Sequence, residues 1–391
     1  MRDPSLDKLA DVIVRYSTRV KPDDLVEIGA EADALPLAAA IFEAYVKAGA
    51  HPFWQPKSEE LTEILLTHGS DHQIGRVSDV MLHQLEKVDV RIHLWAPMNT
   101  RFLSRFDPRK VALHQSARRS YMKRFMERAA LATEGKPGGL RWCGTAYPTL
   151  GSAQDAEMSL AQYEDFVFRA GLLHLPDPVA GWERVHERQE RVREYLQGKK
   201  SVRFRAPACD GHDGTDLVVD ASQATWINCA GRENFPDGEV FAGPTGVEGH
   251  VNYTFPAVYH GREVEAVRLK FKGGRVVDAS AKKNEEYLIA MLDQDAGART
   301  LGEIAIGTNY AIREFTKDTL FDEKIGGTFH AAVGAGYPES GSSNESGLHW
   351  DMVCDLRPDP KKNRPGGTIE ADGEVFHRDG LFLREGWPGP E

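Results

Sequence analysis

Imidazole and carboxylate side chains between Glu239 and Asp351 recur in spacings that suit a divalent cation. His349-Trp350-Asp351 opens the apolar run Trp350 to Leu356. On a strand alternate residues share a face, so His349 and Asp351 point the same way. A neutral nitrogen and an anionic oxygen together satisfy such an ion without soft thiolates. A second histidine, His330, precedes the small-residue run Ala331 to Gly336, which lets backbone approach a site closely, and Tyr337 follows directly. Two acidic residues lie in apolar surroundings: Glu239 in Asn234-Phe-Pro-Asp-Gly-Glu-Val-Phe241, and Glu303 between Leu301 and Ile304-Ala-Ile306. If buried, such a carboxylate must be paired, protonated or metal-bound. Each also reads as a residue facing solvent at a turn, His-x-Asp as a surface pair, and His330 as a hydrogen-bonded core histidine.

Other chemistries lack their signatures. No Gly-x-Gly-x-x-Gly follows a strand and no Walker loop ends in Gly-Lys-Ser/Thr, which argues against a nicotinamide or nucleoside triphosphate cofactor. Ser340, Ser342, Ser343 and Ser346 sit in a polar loop without the Gly-x-Ser-x-Gly elbow of serine hydrolases. Cys143, Cys209, Cys229 and Cys354 form no close pair and read as buried free thiols of a reducing compartment. A formal charge of −11 over 391 residues disfavours nucleic acid as a partner. No window approaches the ~20 uncharged apolar residues that span a bilayer. Met1 to Lys8 has no signal-like apolar stretch behind it, so the expected location is cytoplasmic, with no membrane partner.

These residues need a scaffold, and the chain supplies two textures. In the first half, strand patterns at Asp24–Gly29, Pro52–Gln55, Val90–Trp95 and Leu140–Tyr147 alternate with helical stretches such as Leu35–Ala50 and Val111–Leu131. That order predicts an amino-terminal α/β domain with a largely parallel sheet over residues 1–198. A charged helix from Gly181 to Lys200, with interleaved Glu and Arg, reads as a solvated connector ending that domain. Beyond it come short strands and turns, among them a hairpin from Glu263 through Lys272-Gly-Gly-Arg275 to Ser280. Residues 199–391 are therefore expected to form a carboxy-terminal α+β domain carrying the metal-binding, catalytic residues. His212, His250, His260 and His377 lie near turns and read as surface histidines.

Taken in order, Asn-Phe-Pro-x-x-Glu-Val-Phe, Leu-Gly-Glu, Thr-Leu-Phe-Asp-Glu, His330, Gly-x-Gly-Tyr and His-x-Asp resemble the thermophilic metalloaminopeptidases of the T and S type, described as leucyl-type. The resemblance spans nearly the whole chain, through Trp142-Cys-Gly-Thr-Ala-Tyr-Pro-Thr149 and Met158 to Phe166 in the first half. It implies two divalent ions (zinc, cobalt, manganese or magnesium) held by Glu239, Glu303, His330, His349 and Asp351, with Glu303 bridging both. By the same resemblance Glu323 is a ligand or the general base. Glu323 is seven residues from His330 here, with Lys324-Ile-Gly-Gly-Thr-Phe329 between, where others have a shorter Asp-Glu-Asn link. Two ions about 3.5–4 Å apart lower the pKa of a shared water and polarise a carbonyl, with Tyr337 donating to the oxyanion. The implied activity is removal of the amino-terminal residue from short peptides by a homodimer. Two alternatives stand beside it. His330, His349 and Asp351 alone would suit a mononuclear non-haem iron, ring-cleaving dioxygenase of the dihydroxypyridine type. A catalytically silent peptide-binding scaffold would retain the domains without turnover.

Overall fold

The computed structural model describes residues 2–209, 212–259 and 261–390, so His260 lies outside the described residues. The chain divides into two compact units: residues 1–179 with 231–235, and residues 180–230 with 236–391.

In the first unit the strands Leu25–Glu31, His51–Lys57, Val90–Trp95 and Arg141–Ala146 form a parallel sheet, with Asn234–Phe235 added beside the last. Leu25–Glu31 is buried through its five central residues. A parallel strand covered by helices on both faces reads as such a continuous buried run rather than an alternating one. The helix Leu35–Lys47 buries Leu37, Ala38, Ala40, Ile41 and Tyr45, a stripe at helical spacing. Gly49, at φ +84°, then turns the chain into the next strand. The α/β class with a parallel amino-terminal sheet is what the sequence leads one to expect.

The second unit is built mainly from antiparallel strands. One sheet of eight runs from Arg275–Ser280 at one edge, through Thr215–Asp220 and Ser201–Ala206, to Leu381–Phe382 at the other. A second runs His349–Trp350, Thr328–Gly334, Leu301–Gly307, Glu239–Ala242 and Ile227–Cys229, with Val353–Asp355 also pairing with Thr328–Gly334. The two sheets share one core, in which Val202, Phe204, Leu217 and Ile369 of the first meet Ile304, Ile306, Phe329 and Trp350 of the second. The Phe204 and Phe329 rings pack at a tilt with centroids 4.5 Å apart.

Several details differ from expectation. The charged helix, Pro178–Leu196, is anchored: Trp182, Gln189, Val192 and Leu196 are fully buried, so one face belongs to the interior despite its density of Glu and Arg. From Ala180 on, this helix groups with the second unit, whereas the sequence reading places the boundary at its end. The long hairpin arm from Glu263 is interrupted at Ala266, whose φ of +53° ends one strand and starts another. His377 is no surface residue but fully buried, packed edge-on to Phe382. All four cysteines are free, Cys143 and Cys354 buried and the other two partly exposed.

Phe329→Ala removes a fully buried ring from the shared core of the second unit. A loss of about 3–5 kcal/mol is expected in urea unfolding, since little can collapse into the gap. A loss under about 1 kcal/mol would show that the two sheets do not depend on this contact.

Candidate metal centre

Strand parity explains why this site exists. In the second unit's smaller sheet, Glu303 lies opposite Ala332, Ala305 opposite His330 and Phe241, and Glu239 opposite Gly307. Gly334 pairs with His349 and His330 with Val353. With a period of two, Glu239, Glu303, His330, His349 and Asp351 therefore share one face. The residues between them, Val240, Ala242, Ile304, Ile306, Phe329, Ala331, Val333 and Trp350, line the core on the other.

Local backbone devices aim these side chains. The register shifts between Leu301 and Glu303, so Gly302 sits at a bulge that re-orients Glu303. A Cβ on Gly302 would come within 2.4 Å of the Ala335 carbonyl oxygen, so the Leu-Gly-Glu order is a steric requirement. Pairing lapses at Asp351 and Met352 and resumes at Val353 in the same register, so the expected single strand over His-x-Asp is two short ones. Ala331 N–H still donates to the Met352 carbonyl at 3.0 Å, which keeps Asp351 on the site face. A short helix, Thr319–Asp322, capped by the Asp318 side chain at Leu320 N–H, delivers Glu323 and Lys324.

All six carboxylate and histidine candidates converge. Ligand atoms of Glu239, Glu303 and His330 lie within 4.8 Å of one another, as do those of Glu323, His330 and Asp351. His330 Nε2 is 3.1 Å from Glu303 Oε1, 3.4 Å from Glu239 Oε2 and 3.8 Å from Asp351 Oδ1. His349 Nε2 is 3.4 Å from Asp351 Oδ2 and 4.0 Å from Glu303 Oε2. Each imidazole is oriented from behind: His330 Nδ1 donates to the Glu323 carbonyl at 3.1 Å and His349 Nδ1 to the Ala335 carbonyl at 2.8 Å. With Nδ1 so engaged, the Nε2 of each ring faces the carboxylates: it donates to them while protonated and would turn its lone pair to an ion once deprotonated, the arrangement of metal-ligating histidines. Glu239 Oε2 and Asp351 Oδ1 are buried without a hydrogen-bond partner among the described residues. Two orphaned anionic oxygens beside aimed imidazole nitrogens fit a divalent cation. Tyr337 packs edge-on to His349 and to Phe241, with centroids 5.5 and 5.7 Å away.

Two residues with no role in the sequence reading also belong here. Lys324, 1% exposed, donates to Glu239 Oε1 and lies as close to Glu323 Oε1, both at 2.6 Å, with Asp237 Oδ1 at 3.6 Å. Gln189, on the charged helix, donates to the Glu239 carbonyl at 3.0 Å and accepts from Thr308 Oγ1 at 3.0 Å. The one signal for Lys324 was a charged residue beside Glu323 in a stretch otherwise of Ile and Gly. Gln189 gave none.

The site's electrostatics follow from burial and crowding. Burial pushes the Glu239 carboxyl up to about 8, against the opposing pull of Lys324. Glu323 is raised for the same reason. Burial alone would lower the two histidines. Instead, the Glu303 hydrogen bond and the charges of Glu239 and Asp351 lift His330 to about 9, while Asp351 lifts His349 to about 10. Burial opposes charge on Asp351 too, yet His349 and His330 hold it well below the usual carboxylate range. The Tyr337 hydroxyl is pushed well up by burial and then by the nearby carboxylates, so it remains a donor. A shallow, open depression adjoins Glu323 and Asp351, with Pro256, Val258, Phe315 and Val353 as apolar wall.

Comparison with known proteins meets this geometry. Residues 2–382 match the family model described as thermophilic metalloprotease (M29). The chain belongs to that M29 family. It is the family reached from the ordered motifs, and its members are metallopeptidases. Among M29 relatives, Aminopeptidase 2 of Geobacillus stearothermophilus is 28% identical over 423 aligned positions, covering 98% of each chain. Aminopeptidase T of Thermus thermophilus is 27% identical over 430 positions, again 98% of each. The solved structure of wild-type AmpT from Thermus thermophilus shares the fold, with a TM-score of 0.80 over 97% of this chain and 99% of that one at 24% identity. No helix among the described residues is long and apolar enough to cross a membrane.

The histidine shifts give the metal-free M29 chain a pH dependence. A folded-state pKa above the unfolded value of about 6.5 stabilises the protein below that pH, and the contribution is lost as pH rises through about 9 and 10. Glu239, raised from its ordinary value, acts in the same direction up to about 8. In chelator, the urea midpoint is expected to fall between pH 6.5 and 10; a constant or rising midpoint would contradict this electrostatic picture.

Proposed function

We propose that this chain is a divalent-metal-dependent aminopeptidase that hydrolyses the amino-terminal residue from short peptides. One observation carries the reading beyond family membership: Glu303 and Asp351 each turn one oxygen toward His330 and the other toward His349. That two-sidedness fits a pair of ions, which Glu303 and Asp351 would help to hold together with His330, His349, Glu239 and Glu323. Charge agrees: Asp237, Glu239, Glu303, Glu323 and Asp351 carry five negative charges when ionised, which Lys324 and two divalent ions would balance. Zinc, cobalt, manganese and magnesium all accept such oxygen and nitrogen donors. A single iron on two histidines and one carboxylate leaves Glu239 and Glu303 without a purpose, and a silent scaffold leaves the whole cage without one.

When bound, the ions supply Lewis acidity, activating a water and polarising the scissile carbonyl. The chain's own groups do the rest. The Glu323 carboxylate, at the junction of cage and depression, would offer one oxygen to an ion while Lys324 Nζ holds the other at 2.6 Å. The Tyr337 hydroxyl donates a hydrogen bond to the developing oxyanion. The substrate's free α-amine, a cation at neutral pH, is drawn to the carboxylate-rich wall. Its first side chain would lie over the apolar wall of Pro256, Val258, Phe315 and Val353. The partly exposed free cysteines accord with a reducing, cytoplasmic setting.

Glu303→Gln keeps the shape of the side chain but removes its charge, and is expected to abolish hydrolysis of leucine p-nitroanilide while the circular dichroism spectrum stays native. Turnover near wild type would overturn the reading. Tyr337→Phe should lower kcat about 10²–10³-fold with the metal content unchanged, as for removal of one oxyanion donor; an unaltered kcat would remove Tyr337 from the mechanism.

A further inference from the structure

The fully buried Lys324 ammonium stands within the ligand cluster itself, and nothing in the proposed hydrolysis uses it. Its contacts are with residues that would hold metal: Glu239 Oε1 and Glu323 Oε1, each at 2.6 Å, with Asp237 behind at 3.6 Å. Each glutamate is thereby left one oxygen for a cation. For Glu239 this is Oε2, buried, without a hydrogen-bond partner among the described residues, and 3.4 Å from His330 Nε2. Lysine also differs from every other group in the cage in being, as an ammonium, a point charge with three donors and no acceptor. It can hold carboxylates together but cannot ligate an ion while charged.

We propose that Lys324 is a positioning residue: a resident cation that clamps one oxygen of Glu239 and of Glu323, confines each to single-oxygen ligation, and so loosens the cage's hold on the ion at the His330 side. This rests on the metallopeptidase reading above. Two physical consequences follow. Before metal arrives, the ammonium keeps two buried carboxylates apart from mutual repulsion, so the site is assembled in the metal-free chain. After metal arrives, a fixed positive charge against its ligands opposes binding, and by reciprocity the metal opposes the lysine. The ion that remains is held by carboxylates already sharing their charge, which leaves it a stronger Lewis acid than four unencumbered carboxylates would.

The test compares the wild-type chain with Lys324→Met and Lys324→Gln. Chelator-stripped protein is titrated with Zn²⁺ or Mn²⁺ against a chromophoric chelator, and thermal melting is followed with and without each ion. Both variants are expected to bind metal on the order of tenfold to a hundredfold more tightly than wild type. The gain should be larger for Mn²⁺ than for Zn²⁺, because freed carboxylates that chelate with both oxygens suit the ion that takes more ligands. Their melting temperatures should fall in chelator and recover most of the loss when metal is added. Unchanged or weaker affinity, or the same melting deficit with and without metal, would reduce Lys324 to a structural ion pair and overturn the proposal. Failure of both variants to fold even in excess metal would overturn it too, since metal is expected to take over the lysine's work. If instead the wild-type chain binds neither ion and cleaves no peptide, the metallopeptidase reading falls as well; tight binding and cleavage by wild type with no gain in the variants would sink only the role of Lys324.

Discussion

Like charges crowded onto one face of a sheet are the constraint from which the rest of this site follows. Glu239, Glu303, Glu323 and Asp351 converge with Asp237 behind them, while the opposite face of the same strands is the hydrophobic core. Burying that many carboxylates together is costly unless cations accompany them. Burial raises Glu239, the surrounding carboxylates raise His330 and His349, and the ammonium of Lys324 stands against Glu239, all of which offset the crowded negative charge. Divalent ions would supply the same compensation, so the crowding of acids and the fitness of the site for a metal have a common origin.

The scaffold tolerates this because the sheet separates its two jobs by parity. Even-numbered Val240, Ala242, Ile304 and Ile306 hold the core, while odd-numbered Glu239 and Glu303 face the histidine and carboxylate cluster. Small residues on the site face, Ala305, Gly307, Ala332 and Gly334, leave room between the strands for long acidic side chains. Shifting any of these strands by one residue would bury its acids in the core and expose its core residues to the cage. The bulge at Gly302 is the one place where strict alternation is broken, and it lies directly beside Glu303.

Much of this was legible in the sequence where the determinants are local. Acidic residues inside apolar strands, two histidines, and a Gly-x-Gly-Tyr run are short patterns, and strand periodicity places them on a face without knowledge of the fold. The parallel sheet of the first unit was legible for the same reason, as buried runs alternating with helical stripes. What escaped was long-range. The role of Gln189 depends on a contact with Glu239 fifty residues away, from a helix that composition marks as solvated. Lys324 looks like an ordinary surface lysine until Glu239, 85 positions earlier, is brought against it. The break at Asp351 was hidden because the flanking residues keep both their strand preference and their register. His377 misled for the opposite reason: a histidine flanked by turn residues carries no local mark of complete burial.

One topological feature bears on how the molecule is made. Residues 231–235 group with the first unit, although the chain has by then already laid down some fifty residues of the second. Asn234–Phe235 completes the edge of a parallel sheet whose other four strands end at Ala146. During synthesis, then, the amino-terminal sheet waits with an unfinished border until that pentapeptide leaves the ribosome, while the polypeptide in between belongs elsewhere. No single cut of the backbone yields both halves intact, and a fragment ending near residue 180 would carry an unpaired strand edge open to association with other chains.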